Sequence, residues 1–156
     1  MIEHHKEPVI HRLRFGIDID GTITQAPMHF KRLIDALIED DDYIYIITAR
    51  DAGRRKETED YLVDLCIKYH MLVMKPVDWQ GTVPEWKVEA VKQTGVQLMF
   101  DNEEPNCWAI QQQTACLAAH ALPIPELGRE IEGLLQISNN RKQRHKQNEK
   151  QKQESM

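Results

Sequence analysis

Asp18 and Asp20 flank Ile19 at the end of an apolar run, Leu13–Ile19, and Gly21 follows at once. Packing does not call for two carboxylates there, because a buried unpaired carboxylate is costly. At i and i+2 their side chains point the same way for as long as a strand lasts. Gly21 lets the backbone turn sharply and bare its amides to an anion. Two further apolar runs also end in polar groups: Tyr43–Ile47 leads into Thr48, and Val96–Phe100 leads into Asp101. Brought to one place, these groups would surround a divalent cation with acidic oxygens beside amides and a hydroxyl suited to an oxyanion. The plainer alternatives are a solvated strand end for the Asp pair, a helix cap for Thr48 and an ordinary loop acid for Asp101.

The elements that would position them can be read along the chain. Leu13–Ile19 reads as a first strand, closed by the Asp20-Gly21 turn signal. Phe30, Leu33, Ile34, Leu37 and Ile38 fall at helical spacing behind Pro27. Tyr43–Ile47 is β-branched and aromatic, a buried strand. Thr58, Tyr61, Leu62, Leu65, Cys66 and Tyr69 share one face of a second helix, and Met71–Met74 makes a third strand. Thr82-Val83-Pro84-Glu85 opens a third helix that Gly95 stops. Val96–Phe100 is a fourth strand, a helix spans about 105–113, and a weak strand lies around Cys116–Ala121. Pro125 opens a last amphipathic helix with Leu127, Ile131, Leu134 and Leu135.

Strand–helix alternation of this kind predicts an α/β fold: a three-layer α/β/α arrangement around a mostly parallel, Rossmann-like sheet. Sites in such sheets lie outside the carboxyl ends of the strands. The length, 156 residues, suits one domain. We expect a polar leader at 1–12, a catalytic domain at 13–136 and a basic, Gln/Lys-rich, disordered tail at 137–156. Residues 141–156 hold six Lys/Arg and two Glu, a net of +4, so the overall −5 leaves the first 140 residues at −9. That acidic body argues against a dedicated nucleic-acid surface on the folded part. Three cysteines without a Cys-x-x-Cys pair disfavour a disulfide scaffold or a zinc finger. No apolar run is long enough for a membrane span, no secretory signal is visible, and a cytoplasmic location is the default expectation.

Phe15-Gly16-Ile17-Asp18-Ile19-Asp20-Gly21-Thr22-Ile23-Thr24 resembles the DxDGTxT first motif of the haloacid dehalogenase (HAD) superfamily of phosphohydrolases. Ile46-Ile47-Thr48-Ala49-Arg50 is similar to its second motif, and Lys87 in Glu85-Trp86-Lys87-Val88-Glu89 to its third. Lys75 is the rival for that lysine. Leu98-Met99-Phe100-Asp101-Asn102 is similar to the fourth. The resemblance covers about residues 13–121. It implies a Mg²⁺-dependent phosphomonoester hydrolase, with Asp18 as nucleophile and Asp20 as general acid and base. It further implies Thr48 holding the phosphoryl oxygens, Lys87 supplying positive charge, and Mg²⁺ on Asp18, the Asp20 carbonyl and Asp101. Gly21, Thr22, Ala49, Arg50 and Asn102 are the expected substrate-side residues. Asn102 departs from the commoner pattern of two adjacent acids; it can hydrogen-bond a metal-bound water but adds no charge.

Only 27 residues separate Asp20 from Thr48, and 38 separate Thr48 from Lys87. A crossover alone uses roughly 30, so a large lid domain has no room. An open site suits a polymer end, or cover by a partner subunit such as a second copy of the chain. The run from Thr48 to Leu62 also resembles polynucleotide 3′-phosphatase domains and lidless nucleotidases, which implies a phosphorylated small molecule or nucleic-acid end as substrate. In that reading Arg50, Arg54 and Arg55 face substrate phosphate. The alternative is a catalytically weak or inactive HAD-like protein that binds phosphate or nucleic acid. His4, His5, His11 and His29 are read as solvated positions, Trp79 and Trp86 as packing against the sheet, and Cys107 and Cys116 as buried thiols.

Overall fold

The computed structural model describes residues 12–121, together with the single helical positions Gln136 and Gln147. Residues 12–121 belong to a compact unit that spans Met1–Pro123. The expected helix after Pro125, the basic tail and nearly all of the polar leader lie outside the described residues.

Five strands and four helices alternate: β1 (Arg14–Ile17), α1 (Pro27–Glu39), β2 (Tyr43–Asp51), α2 (Arg55–Asp64), β3 (Met71–Lys75), α3 (Val83–Thr94), β4 (Leu98–Asp101), α4 (Glu104–Gln113) and β5 (Leu117–His120). All strands are parallel, in the order β3-β2-β1-β4-β5. The chain leaves β1 toward β2 and β3, then returns to the other side of β1 with β4. The crevice between the carboxyl ends of β1 and β4 is thus the switch point at which open α/β sheets bind ligands. Among the described residues the loops carry no cap domain, and no helix is long and apolar enough to cross a membrane.

The period-two alternation of the strands sends side chains to two cores. Phe15, Ile17, Ile44, Ile46 and Leu72 pack under α1 and α2, where Ile34 and Leu62 are fully buried. Ile47, Met99 and Ala118 pack on the other face with Val88, Val91 and Ile110 from α3 and α4. Gly16 faces this second layer, and a Cβ there would come within 2.6 Å of Met99 Sδ and 3.0 Å of Val96. Glycine at this point of the central strand leaves room for the side chains of Met99, Val96 and Ile47 from the neighbouring β4 and β2 segments. At α3 the Thr82 hydroxyl accepts from Glu85 N while the Glu85 carboxylate accepts from Thr82 N, and Gly95 ends the helix in the left-handed region.

Three differences from the sequence reading bear on the site. β1 ends at Ile17, before both aspartates, so the strand geometry that would aim them together is gone. β2 continues through Thr48 to Asp51, its register against β3 shifting between those residues, so Arg50 belongs to the strand end. α2 stops at Asp64, short of Leu65, Cys66 and Tyr69. Cys66 takes φ +55, its amide donates to Val63 O and the Ile67 amide to Leu62 O, a closing pattern that spacing alone does not reveal.

Candidate functional site

Asp18 is the first residue past β1, and its amide donates to Phe100 O of β4 at 3.0 Å, pinning it at the switch point. The chain then turns through Asp18–Thr22. Gly21 holds φ +84, and a Cβ there would lie 2.1 Å from the Asn102 amide nitrogen, so the turn packs directly on the residue after β4. The turn separates the two carboxylates. Asp18 is buried, whereas the Asp20 side chain is 59% exposed and faces the end of β2.

Lys87, on α3, is buried in the sheet layer at 1% exposure. Its Nζ donates to Asp18 Oδ1 at 2.7 Å and Ile47 O at 2.8 Å, and lies 3.0 Å from Asp101 Oδ2. Three acceptors meet the three protons of an ammonium. Asp101 is fully buried at the end of β4, and its Oδ1 also accepts from Glu103 N at 2.9 Å and Asn106 Nδ2 at 3.1 Å. Two carboxylates thus share one cation, leaving a buried negative charge. Burial pushes the Asp18 carboxyl up to about 6, Asp101's charge adds to this, and Lys87 opposes it. Asp18 Oδ2 has only a 3.4 Å contact from the Thr22 hydroxyl.

Asp20 meets Arg50, whose Nε and Nη2 donate to its two carboxylate oxygens at 2.9 and 2.8 Å. That fork holds the Asp20 carboxyl below the usual carboxylate range. Thr48 is fully buried, and its Oγ accepts from Arg50 N at 3.2 Å. Ala49 lies between them, half-buried. Among the described residues, the Asp20 backbone amide and carbonyl have no hydrogen-bond partner.

Of the expected residues, Asp18, Lys87, Asp101 and Thr22 share one buried cluster. Asp20 and Arg50 form a second pair at the rim, with Asn102 against Gly21. Lys75 ends β3 and has no side-chain partner among the described residues, so the geometry selects Lys87. The three arginines diverge: Arg54 pairs with Glu57, and Arg55 with Glu59 and Leu72 O. Sequence reasoning missed Asn106, which is 4% exposed and donates to both oxygens of Asp101. The available signal was an amide on the inward face of the helix that follows an acid-ending strand. It also missed Tyr61, whose ring lies 4.9 Å from the Arg50 guanidinium carbon.

No group of three or more His, Cys, Asp or Glu side chains among the described residues forms a ready metal site. The donor set that could hold a cation is smaller and entirely of hard oxygens: the Asp18 and Asp101 carboxylates and the unpartnered Asp20 carbonyl. That chemistry, with its excess buried negative charge, fits Mg²⁺ completed by water and substrate oxygens.

No protein-family model and no curated protein matches the sequence. Among solved structures, the fold is similar to a chain of the Pnkp1/Rnl/Hen1 RNA repair complex, at TM-score 0.61 and 14% identity. The match covers 73% of this chain and 46% of that one, so the chain spans under half of that relative. It is also similar to an uncharacterized protein from Corynebacterium glutamicum, at TM-score 0.51 and 10% identity over 80% of this chain and 95% of that one. At these identities the likeness extends to the fold.

Proposed function

We propose that the chain is a lidless, HAD-type phosphomonoester hydrolase that uses Mg²⁺ and works through an aspartyl-phosphate on Asp18. The observation that carries this reading is the buried Lys87 ammonium between the Asp18 and Asp101 carboxylates. A buried two-to-one arrangement of acid and base is a poor stabiliser by itself, but it is a preorganised field for a reaction in which charge moves onto and off a phosphoryl group.

Asp18 must be ionised to attack. With its carboxyl pushed up to about 6, it is mostly carboxylate at neutral pH. Lys87 holds Oδ1, which leaves Oδ2 as the attacking atom. Attack at phosphorus breaks the ester P–O bond; the Arg50 fork favours ionised Asp20, so Asp20 must take up a proton as substrate binds and then passes it to the departing oxygen. Asp20 then takes a proton from the water that hydrolyses the acyl phosphate, releasing inorganic phosphate and restoring Asp18. Thr48 and the free Asp20 amide hold phosphoryl oxygens. Asp18, Asp101 and the Asp20 carbonyl would hold the Mg²⁺, which supplies charge neutralisation that lets an anionic substrate approach a carboxylate. A nucleotide or polynucleotide end is the substrate class we favour. The open rim and the fold shared with an RNA repair complex chain support it.

A second reading, a weak or inactive phosphate-binding relative, draws on Asp101, whose oxygens already carry Lys87, Asn106 and Glu103 N before any cation arrives. Turnover of p-nitrophenyl phosphate separates the two. The enzyme reading predicts hydrolysis that requires Mg²⁺ and is abolished by Asp18→Asn. Equal turnover by the variant removes the nucleophile assignment.

A further inference from the structure

We infer that Tyr61 is a positioning residue for the acid/base carboxylate: its ring fixes the Arg50 guanidinium in the one plane that forks both oxygens of Asp20. This rests on the proposed function of Asp20 and adds a residue on α2, outside the four HAD-like motifs.

Asp20 is 59% exposed at the side chain, and an ion pair open to water does not hold two flexible side chains in one geometry by charge alone. Arg50 is only 16% exposed. What covers it is α2: the Arg50 guanidinium carbon lies 4.9 Å from the Tyr61 ring centre, the distance of a cation over an aromatic face. Both hydrogen bonds from Arg50 are short and in the bidentate form, Nε to one oxygen and Nη2 to the other. A planar guanidinium backed by a ring has lost the rotation that would otherwise let it leave this fork. Its backbone is fixed as well, because the Arg50 amide donates to the Thr48 hydroxyl at 3.2 Å. The register shift of β2 between Thr48 and Asp51 turns Arg50 out of the regular ladder. Tyr61 itself is held by its neighbours on α2: Thr58 is 1% exposed with its hydroxyl donating to Arg54 O, and Leu62 is fully buried.

The chain of support is therefore Tyr61 to Arg50 to Asp20. Only Asp20 touches the reacting atoms. A ring at position 61 is needed and its hydroxyl is not, and a lysine at position 50 cannot fork.

The test compares wild type with Tyr61→Phe, Tyr61→Leu and Arg50→Lys, on p-nitrophenyl phosphate with Mg²⁺ and by ¹⁵N NMR of the Arg50 Nε–H. We expect Tyr61→Phe to match wild type in kcat and in slow solvent exchange of that proton. We expect Tyr61→Leu to lower kcat about tenfold, with KM little changed, and to speed the exchange. Arg50→Lys should show the same kcat loss, which covers the case in which Tyr61→Leu does not fold. Wild-type kcat in a folded Tyr61→Leu, or a rise in KM alone, overturns the inference. If wild type hydrolyses nothing, the phosphatase reading fails, and the Nε–H exchange alone then decides whether Tyr61 holds the pair. Unchanged exchange in Tyr61→Leu overturns that too.

Discussion

Lys87 lies 69 residues beyond Asp18 in the chain, yet its Nζ reaches Asp18 Oδ1 at 2.7 Å, with both side chains buried. The crossover from β3 through α3 to β4 makes this contact: it lays α3 over the sheet so that its first turns lie above the end of β1.

Because Lys87 is the cation that both buried carboxylates share, Lys87→Met strands both. Breaking a buried pair by removing one partner costs about 3–5 kcal/mol. Urea unfolding should show a loss of that size, or failure to fold. A loss below about 1 kcal/mol would mean that water already reaches the cluster.

Asp18 predicts an unusual pH dependence in chelator-treated protein. Its folded pKa, about 6, lies above the ordinary 3.8, so the folded state binds the extra proton. Its contribution to stability is full below about pH 4 and is lost as pH rises through about 6. Asp18→Asn, which leaves Lys87 paired one-to-one with Asp101, should therefore stabilise the metal-free protein at pH 8 by about 3 kcal/mol. The gain should vanish at pH 4. Thermal melts at the two pH values check it, and a destabilised variant at pH 8 contradicts it.

Much of this was legible in the residues, and the limits have physical causes. The ends of β1, β2 and β4 could be located to within a few residues because apolar runs give way to polar groups near Asp18, Thr48 and Asp101. The parallel sheet followed from strand–helix alternation. The divergence of Asp18 from Asp20 was not legible, because it depends on where the β1 ladder ends and how Gly21 turns against Asn102. Arg50 read as a substrate-side residue rather than as the partner of Asp20, because a register shift in β2 leaves no sequence mark. Asn106 and Tyr61 stayed hidden for a related reason: each acts on a residue that is distant in sequence or on another element, and spacing encodes only local neighbours.

Asn106→Leu removes the amide that donates to both Asp101 oxygens. Each Asp101 oxygen keeps another donor, Glu103 N or Lys87, so the loss of stability is that of a hydrogen bond to a charged group, about 1.5–3 kcal/mol. Mg²⁺ titration followed by calorimetry should show altered affinity, since Asp101 loses the partner that orients it. Unchanged stability and metal affinity together would contradict the assigned role.

Gly21→Ala meets two obstacles, φ +84 and the Asn102 amide within 2.1 Å of the new Cβ. We expect a loss of more than 1 kcal/mol, together with a fall in turnover as the Asp18–Thr22 turn shifts. Gly21→Asn, which tolerates positive φ better, still meets Asn102 and should not rescue turnover. Its recovery to wild-type turnover would show that the clash is absorbed.

The most direct test is the covalent one. A single turnover with Mg²⁺ and a phosphomonoester made chiral at phosphorus should release phosphate with its configuration retained, because attack by Asp18 and then by water are two in-line displacements, each inverting phosphorus. An acid quench during turnover should trap a phosphoryl group on the same residue. Phosphate released with inverted configuration, and no phosphoryl group on Asp18 in the quench, would mean that water attacks phosphorus directly and that Asp18 is not the nucleophile.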